Sequence, residues 1–284
     1  MGAVGSGASG CGSISPVAEI LREFKGCRRF ALVAFFALQP AQGGRPCFHN
    51  PHMRKPPAPV PVLSQADQAL HRPVHAPARQ RGFVFWAIWV NIATYAIYPT
   101  ANWLASLRDQ RYDFITRWDA MIPLVPEFIF VYFSFFPFLA LPFWLVGQPD
   151  TAALGKRQVL ATLICGLVFV LFPANLAFDR VIPEVEPYRS IFSTMFFVDQ
   201  PHNLLPSLHI VYTALTCLAI CQAQWPRGRR ALCVLMVLWS VAICASTMLV
   251  HQHHVLDVVT ALLLTAVLCV LIRPADVPPQ PPRI

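Results

Sequence analysis

From residue 83 onward the chain alternates long apolar runs with short polar connections, and six runs stand out: 83–99, 124–146, 158–174, 204–223, 231–250 and 255–272. A helix needs roughly 20 mainly apolar residues to cross the hydrocarbon core of a bilayer, so the pattern predicts an all-α, polytopic membrane protein. The expected architecture is a six-transmembrane-helix bundle over residues 83–273 with both termini on one side. Trp86, Trp103, Trp144 and Trp225 fall near the ends of runs, where amphipathic rings anchor helices at the interface. Pro123, Pro126, Pro137 and Pro142 interrupt the second run, which is expected to begin as an interfacial segment or to kink.

Residues 1–82 show no sustained periodicity, open on a Gly/Ser-rich stretch and hold ten prolines, the composition of a disordered segment. Phe30 to Leu38 is an apolar run of nine, too short to span, with a basic lead unlike that of a signal peptide. Met53, followed by Arg54 and Lys55, is a plausible start. That reading predicts an intact protein lacking residues 1–52, and a peptide from that stretch in mass spectrometry would refute it. The tail, 274–284, is expected to be disordered as well.

Composition narrows the class. Hydrophobic residues make up 56% of the chain and charged ones 13%, a balance that an ordinary water-soluble domain does not carry on its surface. The net charge of +8 raises nucleic acid as a partner, but Lys and Arg gather before residue 82 and in short connections between runs. That distribution reads as membrane orientation and excludes a DNA-binding face. The terminal side of the six-span arrangement carries 17 Lys and Arg, and the other side five: Arg108, Arg111, Arg117, Arg180 and Arg189. The positive-inside rule then places both termini in the cytosol, and the loops 100–122, 175–203 and 251–254 outside or in a lumen, in a plasma or bacterial inner membrane. Of nine cysteines, Cys165, Cys217, Cys221, Cys233, Cys244 and Cys269 lie inside apolar runs and none forms a Cys-x-x-Cys pair. They are expected to pack as unbridged small hydrophobes. No signature of an oligomeric state is present.

Ionisable residues in or beside spans are costly and are functional candidates by default. Three clusters fall on the outward side: Asn175, Asp179 and Arg180 after the third run; Pro206-Ser207-Leu208-His209 opening the fourth; and Ser246-Thr247 with His251, Gln252, His253, His254 and Asp257 between the fifth and sixth. His253 and Asp257 are four apart and share a helical face about 6 Å apart in rise. The carboxylate can hold one ring nitrogen as a donor and leave the other as a nucleophile; the alternative is a carboxylate that merely neutralises an interfacial histidine. Pro206 suits a first helical turn, where Ser207 and nearby N–H groups present a positive dipole end to an anion. His209 stands where it can give a proton to a departing oxygen; the alternative is an ordinary helix start.

Together, Pro206-Ser207-x-His209, then Ser246, six residues, His253, three residues and Asp257, resemble the second and third signatures of the type 2 phosphatidic acid phosphatase superfamily over about residues 83–272. The resemblance implies a lipid phosphatase or phosphotransferase that needs no cofactor or metal. In it His253 attacks phosphorus and forms a phosphohistidine, Asp257 orients it, and His209 protonates the leaving alcohol. Arg180, Ser207, Leu208 and Ser246 are the implied substrate-binding positions, and the partner is a membrane lipid in the bilayer. The chain departs from the family pattern where Val181 follows Arg180, where Pro173 holds the first-motif lysine position, where Thr247 replaces arginine and where Leu208 replaces glycine. These departures, with Ile122-Pro-Leu-Val-Pro126, are similar to the inositol phosphorylceramide synthase-like branch, whose members move phosphorylated head groups between lipids by attack on a singly charged phosphodiester. Arg189, His251 or Arg117 are the candidate replacements for the missing cations. The competing class is a catalytically silent relative that binds or transports a phosphorylated lipid.

Other constellations carry less. A zinc cluster of His251, His253 and His254 lacks further ligands apart from Asp257. A serine hydrolase of Ser207, His209 and Asp257 places its nucleophile and base two apart, where they do not face each other. His49, His52, His71 and His75 carry no pattern, and Asp113, Asp119 and Glu127 are expected to pair with loop arginines.

Overall fold

The computed structural model of the chain describes residues 76–274. Within that range the chain is mostly helical, and four helical segments are long and apolar enough to cross a membrane: Gln80–Ser106, Pro126–Leu145, Asp150–Leu171 and Arg230–Leu249. The elements, in order, are α1 (Ala76–Ser106), β1 (Tyr112–Asp113), 3-10 turns at Asp119–Met121 and Pro126–Phe128, α2 (Ile129–Phe133), α3 (Phe135–Ala140), α4 (Pro142–Leu145) and α5 (Asp150–Leu171). There follow β2 (Ala174–Asn175), α6 (Tyr188–Val198), α7 (Leu208–Gln224), a 3-10 turn at Trp225–Arg227, α8 (Arg230–Leu249) and α9 (Val255–Leu271).

The first apolar run is part of a longer helix than its composition suggests, since α1 begins at Ala76 and takes in residues assigned above to the N-terminal segment. The disorder expected over 1–75, the start at Met53 and the tail from 275 lie outside the described residues. The second run is broken into α2, α3 and α4. Pro137 and Pro142 have no N–H to return to the preceding turn, so the helix is interrupted near Ser134 and Leu141 and restarts with Pro142 in the first turn of α4.

α1 and α5 lie against each other at small residues. A Cβ on Gly155 would stand 2.5 Å from the Trp86 side chain, and one on Gly166 would stand 2.2 Å from Ile97, so both glycines are required by the close approach. The centre of the unit is α7, which packs against α3, α4, α5, α8 and α9. Its residues are buried nearly all round, including Thr213 and Thr216. Tyr212 of α7 shares its hydroxyl between Thr94 of α1 at 2.8 Å and Thr162 of α5, an interhelical hydrogen bond of the kind that joins helices where water is absent. Cys165, Cys217, Cys221 and Cys233 are buried thiols outside any disulfide.

Two features at the end of the bundle that carries the polar clusters were not expected. A two-residue parallel pairing sets Tyr112 beside Ala174 and Asp113 beside Asn175, joining the loop after α1 to the loop after α5. The amphipathic helix α6 lies within the 175–203 connection and buries Phe192 and Met195 with Ile129, Tyr132 and Val250.

Candidate functional site

The site is assembled around the turn between α8 and α9. α8 ends in a Schellman motif: Gln252 N–H donates to Thr247 O at 2.9 Å and His251 N–H to Met248 O at 2.9 Å. The motif needs a left-handed residue, and His251 occupies that place with φ 56°. A non-glycine residue there is strained, and the ring offsets the strain by stacking on Phe178 at 4.2 Å and donating from Nε2 to Ile122 O at 3.1 Å. The reversed chain then delivers His253, whose N–H donates to Thr247 O at 3.1 Å.

α9 starts directly afterwards with His254 as its N-cap, and Asp257 reaches back over the first turn. Its Oδ2 accepts from His254 N–H at 2.8 Å and from His253 Nδ1 at 3.2 Å. A carboxylate can only accept, so Nδ1 of His253 carries the hydrogen and Nε2 keeps its lone pair. His253 and Asp257 are both buried. His254 Nε2 accepts from Ala177 N–H at 3.2 Å, which leaves its hydrogen on Nδ1, 3.7 Å from the same carboxylate oxygen. Burial lowers the pKa of this imidazole, with Asp257 and Asp119 opposing, and keeps it neutral.

Asp119 supports the turn from the loop after α1. Its Oδ1 accepts from Val255 N–H at 2.7 Å, while Oδ2 accepts from the N–H and hydroxyl of Thr116, each at 2.7 Å. The expected pairing of Asp113, Asp119 and Glu127 with loop arginines is not found among the described residues: Asp119 caps α9, Asp113 accepts from Asn175 at 2.9 Å, and none of the three forms an ion pair with a described arginine. A buried carboxylate satisfied by backbone donors at a helix N-terminus gains from the dipole and needs no cation.

The second cluster meets the third through backbone. Ser207 N–H lies 3.4 Å from Asp257 O, and Ser207 Oγ accepts from Ile210 N–H at 3.4 Å as the N-cap of α7. Ser207 is thus a buried cap whose donors and acceptors serve the two helices, and Pro206 stands just outside α7. Leu208 is buried at the first helical position. His209 points toward the dyad: its ring centroid is 6.1 Å from that of His253, and it rests against Tyr132 at 4.9 Å and Phe135 at 4.7 Å. Its ring nitrogens form no hydrogen bond among the described residues. Ser246 is buried in α8 and its hydroxyl donates to Ile243 O at 2.7 Å, so it stabilises its own helix rather than lining the cavity.

A small cavity opens beside the dyad and is lined by Tyr98, Arg180, Asp199, Asn203, Gln252 and His253 among others. Arg180 is brought here as expected, but two of its donors go to the end of α6, Nη1 to Phe196 O at 3.0 Å and Nη2 to Asp199 O at 2.6 Å. Its buried Nε has no hydrogen-bond partner among the described residues, and neither has the amide nitrogen of Gln252. Asp199 was missed in the sequence. Its carboxylate accepts from the Tyr98 hydroxyl at 2.8 Å, and burial raises its pKa above the ordinary carboxylate value, with Tyr98, His253 and Arg180 only partly opposing. The signal that could have found it is the polar run Asp199-Gln200-Pro201-His202-Asn203 directly before Pro206.

The expected replacements for the missing cations do not reach this cavity: His251 is committed to Phe178 and Ile122, Arg117 lies over Trp118 and Arg189 is exposed on α6. His251 and His254 turn their Nε2 atoms to separate backbone groups, Ile122 O and Ala177 N–H, while Nδ1 of His254 shares Asp257 Oδ2 with His253. Chemically, the arrangement offers an oriented imidazole nucleophile, a second histidine at one ring's distance and a single guanidinium. Comparison with family models, with curated proteins and with solved structures returns no match.

Proposed function

We propose that the chain is an integral membrane lipid phosphatase or phosphotransferase of the type 2 phosphatidic acid phosphatase kind, working through a phosphohistidine at His253. The observation that carries the reading is the buried His253 Nδ1 to Asp257 Oδ2 contact at 3.2 Å, with His209 one ring away and Arg180 on the adjoining cavity. In this reading α7 and α9 join the four longer segments as spans, the termini are cytosolic, and the site lies at the outer or lumenal face. Tryptophans near the helix ends and the basic inner connections support that orientation.

The reaction runs in two displacements. The Nε2 lone pair of His253 attacks phosphorus; the P–N bond forms, the bond from phosphorus to the lipid oxygen breaks, and His209 gives that oxygen its proton. An acceptor hydroxyl then attacks, its proton passes to His209, the new P–O bond forms and the P–N bond breaks. Asp257 holds the tautomer and stabilises the charge that develops on the ring. Water as acceptor makes the protein a phosphatase, and a lipid hydroxyl makes it a transferase.

The commitment of two Arg180 donors to backbone carbonyls favours, as a second reading, a silent relative that binds or transports a phosphorylated lipid. One experiment separates the two. Purified protein in detergent is offered labelled monoester and phosphodiester lipids, with and without ceramide or diacylglycerol. An acid-labile, base-stable label on wild type that is lost in His253→Ala, with phosphate release or head-group exchange, supports the enzyme. Equal background in both proteins overturns it.

A further inference from the structure

We propose that Asp199 is a specificity-determining residue that makes the cavity accept phosphate groups bearing one negative charge and reject those bearing two. This inference rests on the function proposed above. It starts from the charges that face the cavity. Arg180 is the one guanidinium lining it, while Asp199 lines the same cavity and Asp257 stands directly behind His253. Arg111, the other outer arginine near His202, opens instead onto a separate cleft with Ser106, Arg108 and Asp109. One cation therefore faces two carboxylates.

Asp199 is fixed in that position from several elements. Tyr98 of α1 donates to its carboxylate at 2.8 Å, and its backbone carbonyl accepts from Arg180 at 2.6 Å. The carboxylate is thus held toward the cavity by one donor, and Arg180 is held by the carbonyl of the same residue. A phosphate that comes to Arg180 comes to Asp199 as well. The remaining cavity groups with free capacity are the Gln252 amide nitrogen and Arg180 Nε, donors suited to one or two phosphoryl oxygens, and the Asn203 amide oxygen, an acceptor; none brings a second positive charge.

The consequence is a charge filter. A second negative charge on the ligand meets the surplus carboxylate at separations of about 4–6 Å, and with an effective dielectric constant near 20 that interaction is worth a factor of roughly a hundredfold to a thousandfold in affinity. A phosphodiester pairs its one charge with Arg180 and meets the surplus carboxylate once, whereas a dianionic phosphomonoester brings a second charge that no cation of the cavity pairs.

Two arms test this. In the first, wild-type protein in uncharged detergent at pH 8 is titrated with a short-chain lipid phosphomonoester and with its methyl ester, which differ by one charge and one methyl group. The methyl ester is expected to bind at least tenfold more tightly; equal or tighter binding of the monoester overturns the proposal. In the second arm the same ratio is measured for Asp199→Asn and Asp199→Ser, neutral side chains of which either can still accept from Tyr98. The preference for the methyl ester should shrink about tenfold or more in both, and an unchanged ratio in a variant that keeps its wild-type melting temperature overturns the proposal. Both arms read binding alone, so they stand apart from the phosphohistidine label: a missing label sinks the enzyme reading, and an absent charge preference sinks the role of Asp199.

Discussion

Replacing Asp119 with Ala should destabilise the protein through α9, although Asp119 lies 136 residues away from the backbone group it caps. The substitution strands Val255 N–H at the start of the helix and Thr116 N–H in the loop, each of which now donates at 2.7 Å. A buried donor left without a partner costs about 1–3 kcal/mol; Thr116 is half-buried and can recruit water, so most of the cost falls on Val255. Losing a negative charge at the helix N-terminus adds roughly 0.3–1 kcal/mol. The expected sum is about 2–4 kcal/mol, or a melting temperature lower by roughly 4–16 °C for a unit of this size. Thermal unfolding in detergent reads the total, and hydrogen exchange over residues 253–258 reads the location, where protection should fall first. Asp119→Asn keeps one acceptor and should recover part of the loss. Burial alone would raise the Asp119 carboxyl pKa, but the Thr116 hydroxyl and the Val255 and Thr116 N–H groups outweigh it and hold the value below the usual carboxylate range. With a depressed folded-state value, the stabilisation is complete above the ordinary carboxylate pKa and is lost as pH falls through the depressed one. The gap between wild type and Asp119→Asn should therefore close in acid, below about pH 4. A melting temperature within about 2 °C of wild type for Asp119→Ala, with unchanged exchange at 253–258, would refute the capping argument.

Asp257→Asn keeps an oxygen near His253 Nδ1 but removes the charge that orients and stabilises the ring; turnover in the lipid assay should fall by about a thousandfold or more, and a loss under tenfold would count against the dyad. At the left-handed His251, Val should cost about 1–2 kcal/mol or more in backbone strain alone, whereas Gly relieves strain but gives up the Phe178 stack and the Ile122 bond. Thermal melts should rank wild type and Gly close together and Val well below both; a Val variant as stable as Gly would contradict the Schellman assignment. Tyr212→Phe removes the hydroxyl shared by Thr94 and Thr162 and should lower stability by roughly 0.6–2 kcal/mol, seen as a reduced midpoint in a detergent-denaturant titration. An unchanged midpoint would show that these hydroxyls are equally well served without it.

The long helices were legible because a run of apolar residues is a local property: α9 falls within its run, α7 and α8 overstep theirs by one residue, α5 begins at Asp150, eight residues before its run, and the prolines that split 126–145 are visible residue by residue. The dyad was legible as a pairing but not through the shared helical face expected of it: His253 precedes the His254 N-cap of α9, and Asp257 meets it by reaching back over the first turn. What escaped is non-local. Asp199 meets Tyr98 across 101 residues, and nothing in either neighbourhood announces the other. Ser207 shows the limit from the opposite side: Pro-Ser before an apolar run reads equally as an anion site and as a plain N-cap, and the hydroxyl is found turned inward on Ile210 N–H. The helix α6 was passed over because its eleven residues are too few to span and sit in a connection read as loop; its apolar face, Phe192 and Met195, was the available signal.

The central position of α7 bears on how the chain is made. Seventeen residues long, it is absent from the segments apolar and long enough to cross a membrane, and it buries Thr213, Thr216 and Gln224. In lipid alone those groups would face hydrocarbon, whereas in the finished unit they face neighbouring helices. In the membrane arrangement proposed above, α7 therefore finds partners for these groups once α5, already made, and α8, made next, are both beside it. The order of the chain places the least lipid-compatible helix between two that can hold a membrane position for it, and the residue that enters the site from its first turn, His209, is set in place only when that assembly is complete.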